Sequence, residues 1–173
     1  MAILDERLNF REHAVSILKK AAGKLYFLYR CSASLDSFSR RLLCSALISS
    51  GLEYCCSSWY QSLLEEFKRD LAILQRKMVR FVCSMGPREH VGDGEIHSLG
   101  WLPFPRRVDF FKMMHVFKVK KTIAPSYISQ NFRLVSQTHS YGLRQSGQSA
   151  TYAPNFFTRI SGNTLQMYIS GFY

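Results

Sequence analysis

Basic side chains are the residues of this chain most suited to chemistry, and one predicted helix spaces them regularly. The stretch LAILQRKMVRFV, Leu71 to Val82, mixes apolar and basic residues. At about 100° per residue, Arg69, Arg76 and Arg80 fall on the side of a helix opposite its apolar arc. Such a stripe can contact nucleic-acid phosphates, although most charged helix faces are only solvated. The helix pattern leaves both interpretations open.

The apolar arc of this helix predicts the side that packs. It comprises Leu64, Phe67, Leu71, Leu74, Met78, Phe81, Val82 and Met85. Ser62 and Glu65 have the spacing of a capping box, and Glu65 is placed to pair with Arg69 four residues later. Gly86 and Pro87 are predicted to end the helix.

Patterns typical of enzymes and metal sites are not found in the sequence. It contains no Gly-rich phosphate loop, GxSxG or HExxH motif and no CxxC pair. The cysteines, which are Cys31, Cys44, Cys55, Cys56 and Cys83, lie in apolar periodic segments and favour buried free thiols in a reducing compartment. We therefore expect no enzymatic activity, no metal ion and no cofactor, in an intracellular protein of the nucleus or cytoplasm.

The charge of the chain is strongly positive and unevenly distributed. Lys and Arg total 23 against 12 Asp and Glu, which gives a net charge of +11. Residues 110–173 hold seven basic residues and no acidic one. This excess predicts an acidic partner such as nucleic acid. No segment has the length and apolar character of a signal peptide or a membrane span, so we expect no membrane partner.

The hydrophobic periodicity predicts an all-α fold, a small bundle of about four helices over residues 1–121. The first helix runs from about Phe10 to Arg30, the second from about Ser37 to Trp59, and the fourth lies between Pro105 and Pro125. An irregular, basic tail is expected over residues 122–173. Predicted inward residues are Phe10, Ala14, Ile17, Ala21, Leu25 and Leu28 in the first helix, Phe38, Leu42, Ala46 and Leu47 in the second, and Phe110, Met113, Met114 and Phe117 in the fourth.

Four segments of the chain, taken in order, resemble one protein family. They are LDERLNFREHAVSILKKAAGKLYFLYR, LISSGLEYCCSSWY, LAILQRKMVRFV and HSLGWLPFPRRVDFFKMMHVFKV. They resemble the region just after the polymerase palm in reverse transcriptases of LINE-type (non-LTR) retrotransposons, especially the jockey-like group. The resemblance covers about residues 3–160. The paired catalytic aspartates and the endonuclease of that family lie outside this region, so the resemblance implies a thumb and connection fragment without polymerase activity.

A thumb region holds a primer–template duplex through its backbone, because a polymerase must copy any sequence. The resemblance therefore implies sequence-independent binding of an RNA–DNA hybrid or duplex, with the missing palm and fingers as further partners. The implied phosphate-binding residues are Lys19, Lys20, Lys24, Arg69, Arg76, Arg80, Arg106, Arg107, Lys112, Lys118, Lys120 and Lys121.

Other roles stay open at the level of the sequence. Tyr26, Tyr29, Trp59 and Trp101 have rings that could stack on bases, but core packing is favoured for each. Two alternatives to nucleic-acid binding also remain. One is a helical protein-interaction or scaffold fragment, and the other is a translated transposon remnant without function.

Overall fold

The computed structural model of the chain describes residues 3, 10–129, 133–134 and 151–152. Most of these residues are in helices joined by turns and loops, and the described strands are one antiparallel pair of two residues each, β1 (Arg133–Leu134) and β2 (Thr151–Tyr152). The predicted all-α fold class is therefore confirmed. The chain divides into two compact units, Met1–Phe111 and Lys112–Tyr173.

Helix α1 (Arg11–Arg30) packs against the core with the face that its sequence predicts. Of the predicted residues, Phe10, Ala14, Ala21, Leu25 and Leu28 are buried and Ile17 is partly buried beside them; His13 is buried as well. Phe10 immediately precedes the helix and has a left-handed backbone with φ of 54°. The first predicted helix and its inward face are confirmed.

The second predicted helix is a series of shorter pieces. They are α2 (Ser37–Leu43), a π-helical segment (Cys44–Ser49), α3 (Ser50–Glu53) and α4 (Cys56–Trp59). Asp36 caps α2, because its carboxylate accepts a hydrogen bond from the Ser39 N–H at 3.1 Å. Gly51 is accommodated within α3, and the break comes at Cys55, whose left-handed backbone has φ of 52°. The helix therefore breaks at Cys55, four residues after Gly51.

The predicted inward face of this second helix is wrong. Phe38, Leu42, Ala46 and Leu47 are exposed, with Phe38 71% and Leu42 58% accessible. Cys44, Ile48 and Leu52 are buried instead. Apolar residues occur on more than one side, so their spacing could not select the buried face. The π-helical segment changes the rotation of the helix and packs against α1.

Helix α5 (Glu65–Cys83) buries the central part of its predicted arc. The buried residues are Phe67, Leu71, Leu74, Met78, Phe81 and Val82, joined by Val79. Leu64 is exposed at the start of the helix, and Met85 lies beyond its end. The predicted capping box is wrong, because Ser62 belongs to a preceding 3₁₀ turn. Glu65 pairs with Lys68, at 2.8 Å, rather than with Arg69.

The segment after α5 folds back on it through a short helix, α6 (Asp93–Ser98). Val79, Val91 and Ile96 form a second buried cluster there. The Gly92 N–H donates to the Glu95 carboxylate at 2.8 Å. Hydrogen bonds from the backbone N–H groups of Glu95 and Gly92 lower the pKa of this carboxyl.

Helix α7 (Phe104–Lys120) begins near Pro105 as predicted, but its predicted inward stripe is wrong. Phe110, Met114 and Phe117 are exposed and Met113 is half-buried. Phe104 and Val108 are buried instead. Gln75 of α5 fixes the start of the helix, because its side chain accepts from the Phe104 N–H at 2.9 Å and donates to the Leu102 carbonyl at 2.7 Å. Several sides of α7 are apolar, so this tether could not be inferred from spacing.

The predicted tail lies mostly outside the described residues. A turn after α7 leads through Pro125 to α8 (Ser126–Ser129). The boundary between the two compact units falls inside α7, between Phe111 and Lys112. The domain boundary expected at 121 stays a prediction.

Candidate nucleic-acid interface

Two arginines of the predicted stripe project from α5 on the side away from the core. Arg69 and Arg76 are exposed, and neither has a hydrogen-bond or ion-pair partner within the described part of the chain. Arg76 follows Arg69 by seven positions, which is about 10 Å along the helix axis. Burial of Leu71, Leu74 and Met78 on the other side holds this face towards solvent. That these two arginines contact phosphate stays a prediction.

Arg80, the third arginine of the stripe, is engaged within the fold. Its Nε and one terminal nitrogen donate to the Glu89 carbonyl oxygen, each at 3.0 Å. The side chain thereby ties the loop after α5 back to the helix. Replacing Arg80 would therefore disturb the loop as well as remove a charge.

The three lysines of α1 have different surroundings. Lys19 is exposed. Lys20 and Lys24 line a groove of about 310 Å³ between α1 and the segment of residues 47–54. Lys24 crosses this groove, because its Nζ donates to the Leu47 carbonyl at 2.7 Å. The structure thus brings two of the twelve predicted residues into one concave site.

The neighbouring arginines at the start of α7 have opposite environments. Arg106 is exposed. Arg107 forms a bidentate ion pair with Glu53 of α3, with N–O distances of 2.9 and 3.1 Å. Its guanidinium carbon also lies 4.9 Å from the ring centre of Phe111. Arg107 therefore joins α7 to α3, and its charge is neutralised locally.

The remaining predicted residues lie in the second compact unit. Lys118, Lys120 and Lys121 are exposed, and Lys112 is half-buried. All four belong to the part of the sequence without acidic residues. Their predicted contacts with phosphate are untested.

The four aromatic residues considered for base stacking differ in how far their side chains are buried. Trp59 is fully buried and its Nε1 donates to the Tyr54 carbonyl at 2.9 Å, which confirms its core position. Trp101 is half-buried against the core. Tyr29 is 44% exposed, although its ring packs edge-to-face on Phe81 and partial burial raises the pKa of its hydroxyl. Tyr26 is also exposed, so the expectation of core packing is wrong for both tyrosines.

Arg40 was not selected from the sequence, although the fold gives it a central position. Its guanidinium donates to the Phe81 carbonyl at 3.3 Å and to the Ser32 carbonyl at 2.8 Å, and also contacts the Ser84 hydroxyl. These groups lie at the C-terminal end of α5 and in the turn before α2. A cation is favourable at a helix C-terminus. No spacing rule identifies such a contact over forty residues of sequence separation.

His13 is the second residue that was not selected. It is 4% exposed and lines the groove that contains Lys20 and Lys24. Its position was readable, because residue 13 lies three residues after Phe10 and four before Ile17, on the apolar face of α1. A histidine on the apolar face of a predicted helix is the sequence feature that indicates a buried imidazole at this position.

The cysteines are free thiols, but only two of them are buried. Burial raises the pKa of Cys44 to about 12 and that of Cys56 to about 11. Cys31, Cys55 and Cys83 are exposed, so the expectation of burial is wrong for these three. Among the described residues, no group of three or more His, Cys, Asp or Glu side chains is arranged to hold a metal ion.

No model of a protein family, no curated protein and no solved structure matches the chain. Within the described part of the chain, no helix combines the length and apolar character needed to cross a bilayer.

Proposed function

We propose that the chain binds the phosphate backbone of a nucleic-acid duplex, as the thumb-like region of a LINE-type reverse transcriptase would. The observation that carries this proposal is the exposed, unpartnered pair Arg69 and Arg76 on the outer face of α5. A guanidinium without an internal partner is available to pair with a phosphate oxygen. The proposal assigns the chain no catalytic step.

The net charge of +11 supports this function, because basic residues outside α5 also attract a polyanion. Lys19 and Arg106 are also exposed on the first compact unit. Glu66 and Asp70 lie on the exposed side of α5 too, so the basic surface is bounded by acids rather than continuous around the helix. This arrangement favours a duplex approaching from the side of the arginines.

The double substitution R69Q/R76Q tests the proposal. We expect weaker binding of every duplex by a similar factor, because phosphates carry no base identity. The slope of log K against log salt should fall by about 0.9 for each phosphate of B-form DNA that the protein no longer neutralises. Fluorescence anisotropy with labelled RNA–DNA hybrid and DNA duplex across a salt series measures both quantities. The hybrid should bind at least as well as the DNA duplex.

The matched control is R41Q/R88Q, which removes the same charge from two exposed arginines elsewhere in the first unit. Circular dichroism should show the same helical content for both variants. If R69Q/R76Q and the control lower the salt slope equally, the effect is one of net charge alone and the proposed interface is wrong.

The alternative function, a helical protein-interaction fragment, is favoured by the exposed pair Phe38 and Leu42 on α2. Apolar side chains four residues apart on an exposed helix face are suited to contact another protein. Under this alternative R69Q/R76Q and the R41Q/R88Q control should change duplex binding and its salt slope equally, because only the net charge then acts on the duplex. The same titration therefore separates the two functions.

A further inference from the structure

Helix α1 carries a second stripe of apolar and aromatic side chains, beside the one that packs in the core. This second stripe consists of Val15, Leu18, Ala22, Tyr26 and Tyr29, which follow one another at intervals of three or four residues and so lie on one side of the helix. Val15 is 50% and Tyr26 69% exposed. Ala22 and Tyr29 are exposed too, whereas Leu18 is partly buried. The second stripe is therefore open to solvent over most of α1.

Helix α5 continues the apolar surface beside the second stripe. The Tyr29 hydroxyl donates to the Lys77 carbonyl at 3.2 Å, and the Tyr29 ring packs on Phe81 with ring centres 4.9 Å apart. Ile73 lies one helical turn before Lys77, on the same side of α5, and is exposed. Exposed apolar surface of this kind, bordered by polar residues, is typical of a protein contact site.

Opposite charges lie at the two ends of the second stripe. Glu12 precedes Val15 by three positions and Arg30 follows Tyr26 by four, so both charges lie along the same side of α1. Both are exposed, and neither has a hydrogen-bond or ion-pair partner in the described part of the chain. Lys19, which is also exposed, borders the stripe between them. A surface that matches the two ends carries the same two charges in the reverse order.

The second stripe has the same spacing in both directions from Ala22. Val15 and Tyr29 lie seven positions to either side of Ala22, and Leu18 and Tyr26 lie four positions to either side. Contacts across a two-fold axis are reciprocal, because the same patch of each copy meets its counterpart. Two α1 helices that cross antiparallel at Ala22 therefore place each side chain of the stripe against the one at the equal distance on the other side of the centre.

From this symmetry we infer that the chain forms a two-fold dimer, in which the second stripe packs against that of a second copy. The small side chain of Ala22 allows the two helices to approach closely where they cross. Each Glu12 then lies about 3 Å along the axis from the level of Arg30 in the other copy, so the two side chains can pair.

The size of this contact sets the expected strength of the dimer. One pair of helices, with Ile73 at its edge, gives an interface at the small end of the known range. We therefore expect a dissociation constant on the order of 10–100 µM. The dimer does not rest on the proposed duplex binding by α5.

Sedimentation velocity of the whole chain without nucleic acid, over about 1–500 µM, tests the dimer. A22E places two carboxylates together at the crossing and should weaken self-association roughly tenfold or more. A46E is the matched control, because it makes the same substitution at an exposed position of the π-helical segment and should leave the dissociation constant unchanged. R69Q/R76Q should also leave it unchanged, so failure of the dimer and failure of the α5 interface are distinguishable.

Charge reversal tests the antiparallel arrangement. E12R alone brings two arginines together at each end of the contact, and R30E alone brings two glutamates together. Each variant by itself should therefore dimerise several-fold more weakly than the wild type. In an equimolar mixture of E12R and R30E, both opposed pairs again have opposite charges, and the affinity should recover.

Circular dichroism should show the same helical content for all of these variants and the wild type. A chain that stays monomeric up to the highest concentration would overturn the inference. Equal effects of A22E and A46E would overturn it too, because the chain would then associate through another surface. If the mixture of E12R and R30E associates no more tightly than either variant alone, the two helices do not pair antiparallel at Ala22 and the inference is wrong.

Discussion

Arg106 and Arg107 provide a direct test of which predicted basic residues serve the fold rather than a partner. R107Q removes a bidentate pair with Glu53 whose side chains are 37% and 24% exposed. Exposed ion pairs contribute about 0.2–1 kcal/mol, and hydrogen bonds to charged groups about 1.5–3 kcal/mol. Since this pair is partly buried, we expect a loss of about 1–2 kcal/mol.

A loss of this size should lower Tm by roughly 4–10 °C for a unit of this length. R106Q is the control, because it removes the same charge from the exposed neighbour and should change stability by less than about 0.5 kcal/mol. Thermal unfolding followed by circular dichroism at 222 nm measures both variants. The double variant E53Q/R107Q should be less destabilised than the sum of the single variants, since the two side chains interact directly.

Equal melting temperatures for R107Q and R106Q would refute the argument that the ion pair joins α7 to α3. Additive effects in the E53Q/R107Q cycle would refute it independently. The nucleic-acid prediction differs for the same two residues. R106Q should weaken duplex binding by removing an exposed guanidinium, whereas R107Q should act only through net charge and the unpaired Glu53 carboxylate, because the Arg107 guanidinium is already engaged by Glu53 and is not available to a phosphate.

Two further predictions concern the core and the thiols of the first unit. The substitution L74A removes a buried side chain and should lower the free energy of unfolding by about 2–5 kcal/mol. The control I73A alters a neighbouring residue that is 45% exposed and should lower it by less than about 1 kcal/mol. Equal urea midpoints for the two variants would contradict the assigned face of α5. Native protein at pH 8 should react with a disulfide reagent at Cys31, Cys55 and Cys83 alone. Cys44 and Cys56 should react only after unfolding, because burial raises their pKa to about 12 and 11. Mass spectrometry identifies the labelled residues, and rapid labelling of Cys44 or Cys56 in the native protein would contradict their burial.

Two of the helices show how much of the fold could be predicted. On α1 and α5 the apolar residues recur along one face at a period of 3.6 residues, and this repeat identified both the helix and its buried side, although Phe27 and Ile73 lie outside that face and are exposed. On α2 and α7 apolar residues occur on several faces. Periodicity then predicted a helix but not its rotation, and both predicted inward faces were wrong. For α7 the contacts that hold its first turn come from Gln75 of α5 and Glu53 of α3.

Some properties of the candidate site follow from the local sequence, and others depend on contacts between distant residues. Charge, helix spacing and the absence of acids after Asp109 are properties of the sequence by itself, and they determined that this chain is basic and helical. Only the tertiary structure decided which basic side chains are free. Arg80 is occupied by the Glu89 carbonyl in the loop after α5, and Arg107 by Glu53 of α3. Lys20, Lys24 and His13 line one groove because residues 47–54 pack against α1. The reason is physical: a hydrogen bond or an enclosed donor depends on separations of a few ångström in space, which spacing along one helix does not specify.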